Sequence, residues 1–233
     1  MACILNIETA TKVCSFSISV DGKVIFNRLE TNNPSHASLV GIYSKDACEY
    51  VKEKQLRIDA VAVSAGPGSY TGLRIGISTA KGLCYGLNVP LIAVPTLKII
   101  ALSAINQYPD KDAYYCPMID ARRMEVYSAF YDFNLNEERE TQADIIDEDS
   151  YKECLISRKM IFAGDGSGKC RDVIQTENTV FLENIYPSAE TMAFLSEKAY
   201  QEKQFEDTAY YEPFYLKEFQ ATVAKNKVIN VNQ

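Results

Sequence analysis

The chain has 233 residues, a formal net charge of −7, seven Cys, no Trp and one His. A single imidazole excludes an intrachain site of two or three His, a metalloprotease of the H-E-x-x-H kind, and any triad that does not run through His36. An apolar content of 47% belongs to a globular chain, and the length allows one large domain or two of roughly 110 residues.

The first residues, Met1-Ala2-Cys3-Ile4-Leu5-Asn6-Ile7, lack the basic and apolar regions of a signal peptide, and no apolar run is long enough for a membrane span. The Cys stand at 3, 14, 48, 84, 116, 154 and 170. No C-x-x-C occurs, so neither a structural zinc nor a dithiol motif is signalled. Scattered thiols in apolar runs fit a reduced, cytoplasmic chain. Charge is divided unevenly: residues 1–107 hold ten Lys and Arg against seven Asp and Glu, and residues 108–233 hold fourteen against twenty-four. The acidic second half repels phosphate and argues against primary nucleic-acid binding.

In chain order, Cys3–Glu8 reads as a strand. Val13–Val20 alternates small polar with apolar residues, Asp21-Gly22 marks a two-residue hairpin, and Lys23–Thr31 returns as a third strand. Asn32-Asn33-Pro34-Ser35 reads as a helix start. Leu39, Ile42, Tyr43, Ala47, Tyr50 and Val51 then recur at helical spacing. Ile58–Ala65 is a β-branched strand, Tyr70–Leu87 a helix, Leu91–Val94 a strand and Thr96–Ile105 a helix. The pattern then restarts. Strands are predicted over Ala113–Ile119, Glu125–Phe133, Thr141–Ile146, Met160–Ala163 and Thr179–Leu182, with helices around Cys170–Ile174 and over Ser188–Lys203. A meander followed by βα units, occurring twice, predicts an α/β protein of two mixed sheets flanked by helices. The division falls near Asn106–Lys111, between a unit at 1–107 and another at 108–233.

Six of the eleven Gly lie between Gly66 and Gly86. Gly66-Pro67-Gly68 follows a strand and opens a helix, a place where a helix N-terminus can take an anion. It matches neither a Walker A loop nor G-x-G-x-x-G. Gly68, Gly72, Gly76 and Ala80 form a four-residue row. Each helical Gly costs about 1 kcal/mol against Ala, so close packing must compensate. The row packs on this chain's own sheet or on another subunit, and the residues alone leave both open. Arg74 near the helix start opposes the helix dipole, which suggests a phosphate or a partner carboxylate. Ala163–Cys170 misses the P-loop pattern at two positions and reads as a strand-to-helix turn. His36, with no G-x-S-x-G elsewhere, reads as a helix-start residue. Glu8 ends the first strand.

These motifs carry a resemblance. Ile4–Ala10, Ser35-His36-Ala37, Ser64–Leu83 with its Leu91–Leu97 continuation, and Glu212-Pro213-Phe214-Tyr215-Leu216-Lys217 resemble the TsaB (YeaZ) family of the tRNA threonylcarbamoyladenosine machinery. Lys217 stands where the closing family motif has Arg. The resemblance implies two RNase H-like subdomains of the actin/Hsp70/sugar-kinase (ASKHA) architecture. It also sets the chain beside the catalytic paralogue TsaD, whose V-N-H-L-E-x-H binds metal through its two His. Here the corresponding run is Val94-Pro95-Thr96-Leu97-Lys98-Ile99-Ile100, with Thr96 and Ile100 at the imidazole positions. The resemblance therefore implies a pseudoenzyme with no catalytic residues, metal or cofactor.

Its implied partners are a TsaD-like transferase and a TsaE-like ATPase, with tRNA met mainly through them and a homodimer when alone. The implied interface comprises His36, Leu39 and Tyr43 on the first helix. On the second it comprises Tyr70, Gly72, Leu73, Arg74, Gly76, Ile77, Ala80 and Leu83. Glu8, Gly66 and Gly68 would be a vestigial nucleotide site. The rival reading is a nucleotide-binding or hydrolysing enzyme of the same fold; a protease is disfavoured by the single His.

Overall fold

The computed structural model describes residues 2–32 and 35–217. Two five-stranded sheets carry the chain. The first contains β1 (Cys3–Glu8), β2 (Cys14–Val20), β3 (Lys23–Glu30), β4 (Ala60–Ser64) and β5 (Leu91–Val94) in the order β3-β2-β1-β4-β5. Asp21 and Gly22 adopt φ of 49° and 74°, the left-handed pair that a two-residue hairpin demands. They set Val20 opposite Lys23. β1 pairs antiparallel with β2 and parallel with β4, and β4 pairs parallel with β5.

The second sheet contains β6 (Tyr114–Asp120), β7 (Glu125–Tyr131), β8 (Glu137–Ile145), β9 (Met160–Ala163) and β10 (Thr179–Phe181) in the order β10-β9-β6-β7-β8. This repeats the first sheet strand for strand, so the duplication expected from the sequence is present in topology. The helices are α1 (His36–Glu53), α2 (Tyr70–Leu87), α3 (Thr96–Gln107), α4 (Lys152–Ser157) and α5 (Ala189–Gln201). The repeats differ in their helices. Where the first half has α2, the second has only a 3-10 turn at Gly168–Cys170, which corrects the helix expected around Cys170–Ile174. The counterpart of α1 is the six-residue α4, which the sequence reading missed. Of the residues proposed to start α1, Asn33 and Pro34 lie outside the described residues. Ser35 is the N-cap, without a side-chain cap bond.

Five layers result. α1 and α2 cover the outer face of the first sheet through Val40, Ala47, Val51, Ile77, Ala80 and Cys84, packed on Leu5, Ile7, Phe16, Ile18, Val61 and Val63. Ile42, expected on this face, points to solvent at 54% exposure. The four Gly of α2 cost about 4 kcal/mol in propensity. Burying Leu73 and Ile77 contributes about 1.5–3 kcal/mol each, so packing rather than propensity holds this helix.

The middle layer is α3 with α5. α3, from the first half, lays Leu97, Ile100 and Ala104 on Tyr115, Ala129 and Ile161 of the second sheet. Its Ile99 meets Ile4, Ala62 and Val94 of the first. α5 belongs by position to the second half, yet its Met192 and Leu195 pack on the first sheet. The division at 107/108 thus separates the sheets but not the packing units. α4 covers the far face of the second sheet through Leu155, against Met160 and Phe162.

The polar face of β2 is buried beneath α5. Ser15 Oγ accepts from the Ala189 N–H at 2.8 Å, and Ser17 Oγ donates to the Ala189 carbonyl at 2.8 Å. Asn6 Nδ2 donates to Ser17 and Ser19 at 3.3 and 3.2 Å, and Ser196 Oγ donates to Asn6 Oδ1 at 2.5 Å. Every buried hydroxyl of this alternation has a partner, as an apolar interior demands. Among the described residues, no helix is long and apolar enough to cross a membrane.

Candidate functional site: the paired helices and the loop beneath them

The loop between β1 and β2 is the hub of the first half. Ala10 O accepts from Ser69 N–H at 2.6 Å, Thr9 Oγ1 donates to Gly72 O at 2.9 Å, and His36 Nε2 donates to Thr11 O at 2.7 Å. One loop thereby fixes the first turns of both α1 and α2. His36 holds the helix-start position expected of it.

The same loop explains the Gly row. A methyl at Gly68 would meet the Ala10 carbonyl, at Gly72 the Thr9 carbonyl, and at Gly76 the Thr9 hydroxyl. These glycines exist so that the loop can press on the helix. Gly72, Leu73, Gly76, Ile77 and Ala80 are accordingly buried inside this chain. Little of their own surface is left for a partner, unlike that of the exposed Arg74 expected beside them. Leu39, Tyr43 and Leu83 are half-buried and pack on the first core, Tyr43 edge-on to Phe16 at 5.8 Å.

A second row lies on the opposite face of α2. Arg74, Ser78, Gly82 and Gly86 also recur every four residues, displaced by two, and all four are exposed. Among the described residues nothing lies within 4 Å of a Cβ built on Gly82, Gly86 or Gly41 of α1. No internal contact requires Gly at these three positions, although each carries the same helix penalty. Between α1 and α2 runs an open groove of about 690 Å³, lined among others by Ala37, Gly41 and Ser44 from α1 and by Arg74, Ser78 and Thr79 from α2. These small exposed residues escaped the sequence reading, although a helical wheel separates the two rows.

Arg74 is engaged within the chain. Its guanidinium lies over the Tyr70 ring at 4.2 Å, and its Nε donates to Tyr215 Oη at 3.1 Å. The Tyr70 and Tyr215 rings are 5.0 Å apart.

Of the three residues proposed as a vestigial nucleotide site, Gly66 is met by the C-terminal segment. Phe214 N–H donates to Ala65 O at 2.8 Å, and the Phe214 carbonyl stands 2.6 Å from where a Gly66 Cβ would be. Gly66 has φ of +107°, so Gly is required both by conformation and by this approach. Gly68 is committed to Ala10 as described above. Glu8 is fully buried. Its Oε1 accepts from Ala10 N–H at 2.6 Å, whereas Oε2 has no partner among the described residues. Burial pushes its carboxyl from 4.5 up to about 7, against opposing hydrogen bonds from Ala10, Ser64 and Thr9.

Thr96 and Ile100 have structural employment. Thr96 Oγ1 accepts from Gly66 N–H at 3.2 Å, and the Gly66 carbonyl accepts from Thr96 N–H at 3.0 Å. Ile100 is buried against the second sheet. Threonine and isoleucine supply no imidazole ligand.

Two sheets of one repeated order, with helices between and outside them, define an α/β protein of the RNase H-like, actin-like class. A family model described as "TsaD: tRNA N6-adenosine threonylcarbamoyltransferase" matches residues 30–225. The tRNA threonylcarbamoyladenosine biosynthesis protein TsaB of Escherichia coli (strain K12) is 30% identical over 220 residues, covering 92% of this chain and 94% of that relative. TsaB of Buchnera aphidicola subsp. Schizaphis graminum is 30% identical over 195 residues, covering 80% and 89%. YeaZ from Pseudomonas aeruginosa shares the fold at a TM-score of 0.79, with 24% identity over 93% of this chain and 100% of that one. The chain belongs to the TsaB family, whose named members are proteins of tRNA threonylcarbamoyladenosine biosynthesis.

Proposed function

We propose that this chain is a non-catalytic subunit in the synthesis of N6-threonylcarbamoyladenosine in tRNA. In this reading it holds a TsaD-like transferase on its α1/α2 face, and a TsaE-like ATPase joins the pair. The observation that carries the non-catalytic assignment is Thr96. At the first imidazole position of the catalytic paralogue, this chain has a buried hydroxyl bonded to Gly66, and at the second it has the buried Ile100. The exposed glycines support docking on α1 and α2. A helix that keeps Gly41, Gly82 and Gly86 with no internal contact to protect is built for close approach by another backbone, as small-residue helix faces are. Without the transferase, two copies of this chain would use the same face.

The test is co-expression with the TsaD-like chain of the same organism, followed by size-exclusion chromatography with light scattering. The wild-type pair elutes as one species, and Gly82→Leu with Gly86→Leu separates it while the lone chain's melting temperature does not fall. Pairing at unchanged affinity in that variant overturns the docking face. Transfer of threonylcarbamoyl to tRNA by this chain alone overturns the non-catalytic role. Titration of ATP–Mg²⁺ into the lone chain tests the rival enzyme reading; micromolar binding with turnover would establish it.

A further inference from the structure

Residues 207–217, which follow α5, pack on the first half. The segment turns at Asp207, packs the half-buried Tyr211 at the edge of the first core, and is held by Lys81 Nζ. That ammonium donates to the Ala209 and Tyr211 carbonyls at 2.9 and 3.1 Å. Phe214 bonds Ala65 at the end of β4, and Tyr215 stacks on Tyr70 and bonds Arg74. Two residues later Lys217 forms an ion pair with Glu125, at the start of β7 in the second sheet.

The segment therefore crosses from one half to the other. Glu8, Gly66, Asp120 and Gly164 follow or end parallel-paired strands of the two sheets, at their carboxyl ends. Open α/β sheets keep their cleft at these ends. Lys12 follows β1 of the first half and Asp165 follows β9 of the second, so both lie on this side of the sheets.

We propose that residues 207–217 are a latch across this cleft, with Arg74 as its handle on the docking face. Lys217 and Glu125 close the latch. Tyr215 ties it to Arg74, the one charged side chain lining the α1/α2 groove among the described residues. Arg74 bonds Tyr215 and feels the charge of Glu212 in the same segment, and a carboxylate carried by a docking chain would compete with both for it. Docking and latch opening are then coupled, and the coupling is reciprocal. The coupling rests on the docking reading; the latch itself does not.

Native-state hydrogen exchange on the full chain, read by peptide mass, tests the latch without a partner. Lys217→Glu sets two carboxylates against each other, and exchange in 211–217 and in the cleft loops 9–13 and 164–169 rises about tenfold. The swap Glu125→Lys with Lys217→Glu restores protection. Arg74→Ala, which mimics capture of the handle, speeds exchange in 211–217 alone by about threefold. Unchanged cleft loops in Lys217→Glu, or failure of the swap to restore them, overturns the latch. Wild-type exchange in Arg74→Ala overturns the handle. In the pair with the TsaD-like chain, 211–217 exchanges faster than in the lone chain; slower or equal exchange overturns the coupling. A wild-type chain that does not pair sinks the docking reading while leaving the first three outcomes to decide the latch.

Discussion

Glu8 makes the stability of this chain fall as pH rises through neutrality, and Glu8→Gln removes that dependence. The carboxyl titrates near 4.5 when exposed and at about 7 when folded. The folded state therefore holds a proton that the unfolded state has released. A group with a raised folded pKa contributes stability that is full below its unfolded value and is lost as pH climbs through its folded value. The window is about pH 4.5 to 7, and at about 1.4 kcal/mol for each tenfold in proton affinity the loss is about 3 kcal/mol. The cause is geometric: the side chain is fully buried, Oε1 accepts from Ala10, and Oε2 has no partner among the described residues. Gln keeps an acceptor for Ala10 and carries no charge to desolvate. Asp165, also raised by burial, titrates in both proteins, so the difference between them isolates Glu8. Urea unfolding at intervals from pH 5 to 8 should lower the wild-type midpoint by about 1 M relative to the variant. Parallel midpoint curves for wild type and Glu8→Gln would refute the reasoning.

The two glycine rows of α2 predict opposite signs. Gly76→Ala drives a methyl into the Thr9 hydroxyl and costs about 2–3 kcal/mol. Gly82→Ala meets nothing within 4 Å among the described residues and stabilises the lone chain by about 0.5–1 kcal/mol; melting temperatures moving in the same direction would contradict this assignment of the rows. Asn6→Ala strips a partner from Ser196, Ser17 and Ser19 at once and should cost about 2–4 kcal/mol in urea unfolding. Arg139→Ala leaves Asp144, paired at 2.5 Å, in a half-buried site with only Ser128 and Tyr151. It should cost about 3 kcal/mol, and Asp144→Asn added to it should recover part of that loss.

Elements bounded by strong local chemistry were legible. α2 starts after Ser69, whose hydroxyl accepts from Gly72 N–H at 3.3 Å, and ends at Asn88 with φ of 55°; its limits match those read from the chain. Leu91–Val94 and Met160–Ala163 are short apolar runs between turn residues, and both are strands at those limits. What failed was non-local. Nothing near Thr96–Gln107 or Ala189–Gln201 says which sheet each helix will cover, because both are apolar on more than one side. The Gly spacing was correct, but spacing does not say which face is inward. Two residues on a helix subtend about 200°, so a row starting at Gly72 and one starting at Arg74 face opposite ways. Only the Thr9–Ala10 loop, some sixty residues upstream, decides between them. The 207–217 segment has no periodicity, and its role follows from where its ends are fastened.

The uneven charge acquires a structural reason from the same asymmetry between halves. A sheet edge offers unpaired backbone groups to any passing strand, and charged side chains are one protection against that. β8 is one of the two edges of the second sheet, and it carries Glu137, Glu138, Glu140 and Asp144. β5, at the edge of the first sheet, is protected differently: Glu206 N–H bonds the Leu91 carbonyl at 2.9 Å and caps the edge with the chain itself. In place of α1 and α2 the second half has a 3-10 turn and the six residues of α4, and residues 108–233 carry the net −10. The first half kept both long helices and a charge of +3. Among the described residues its groove between α1 and α2 is lined by a single charge, Arg74, among small and apolar side chains. The negative charge thus lies on the half with the exposed β8 edge, and the α1/α2 groove of the other half is left with small and apolar side chains around Arg74.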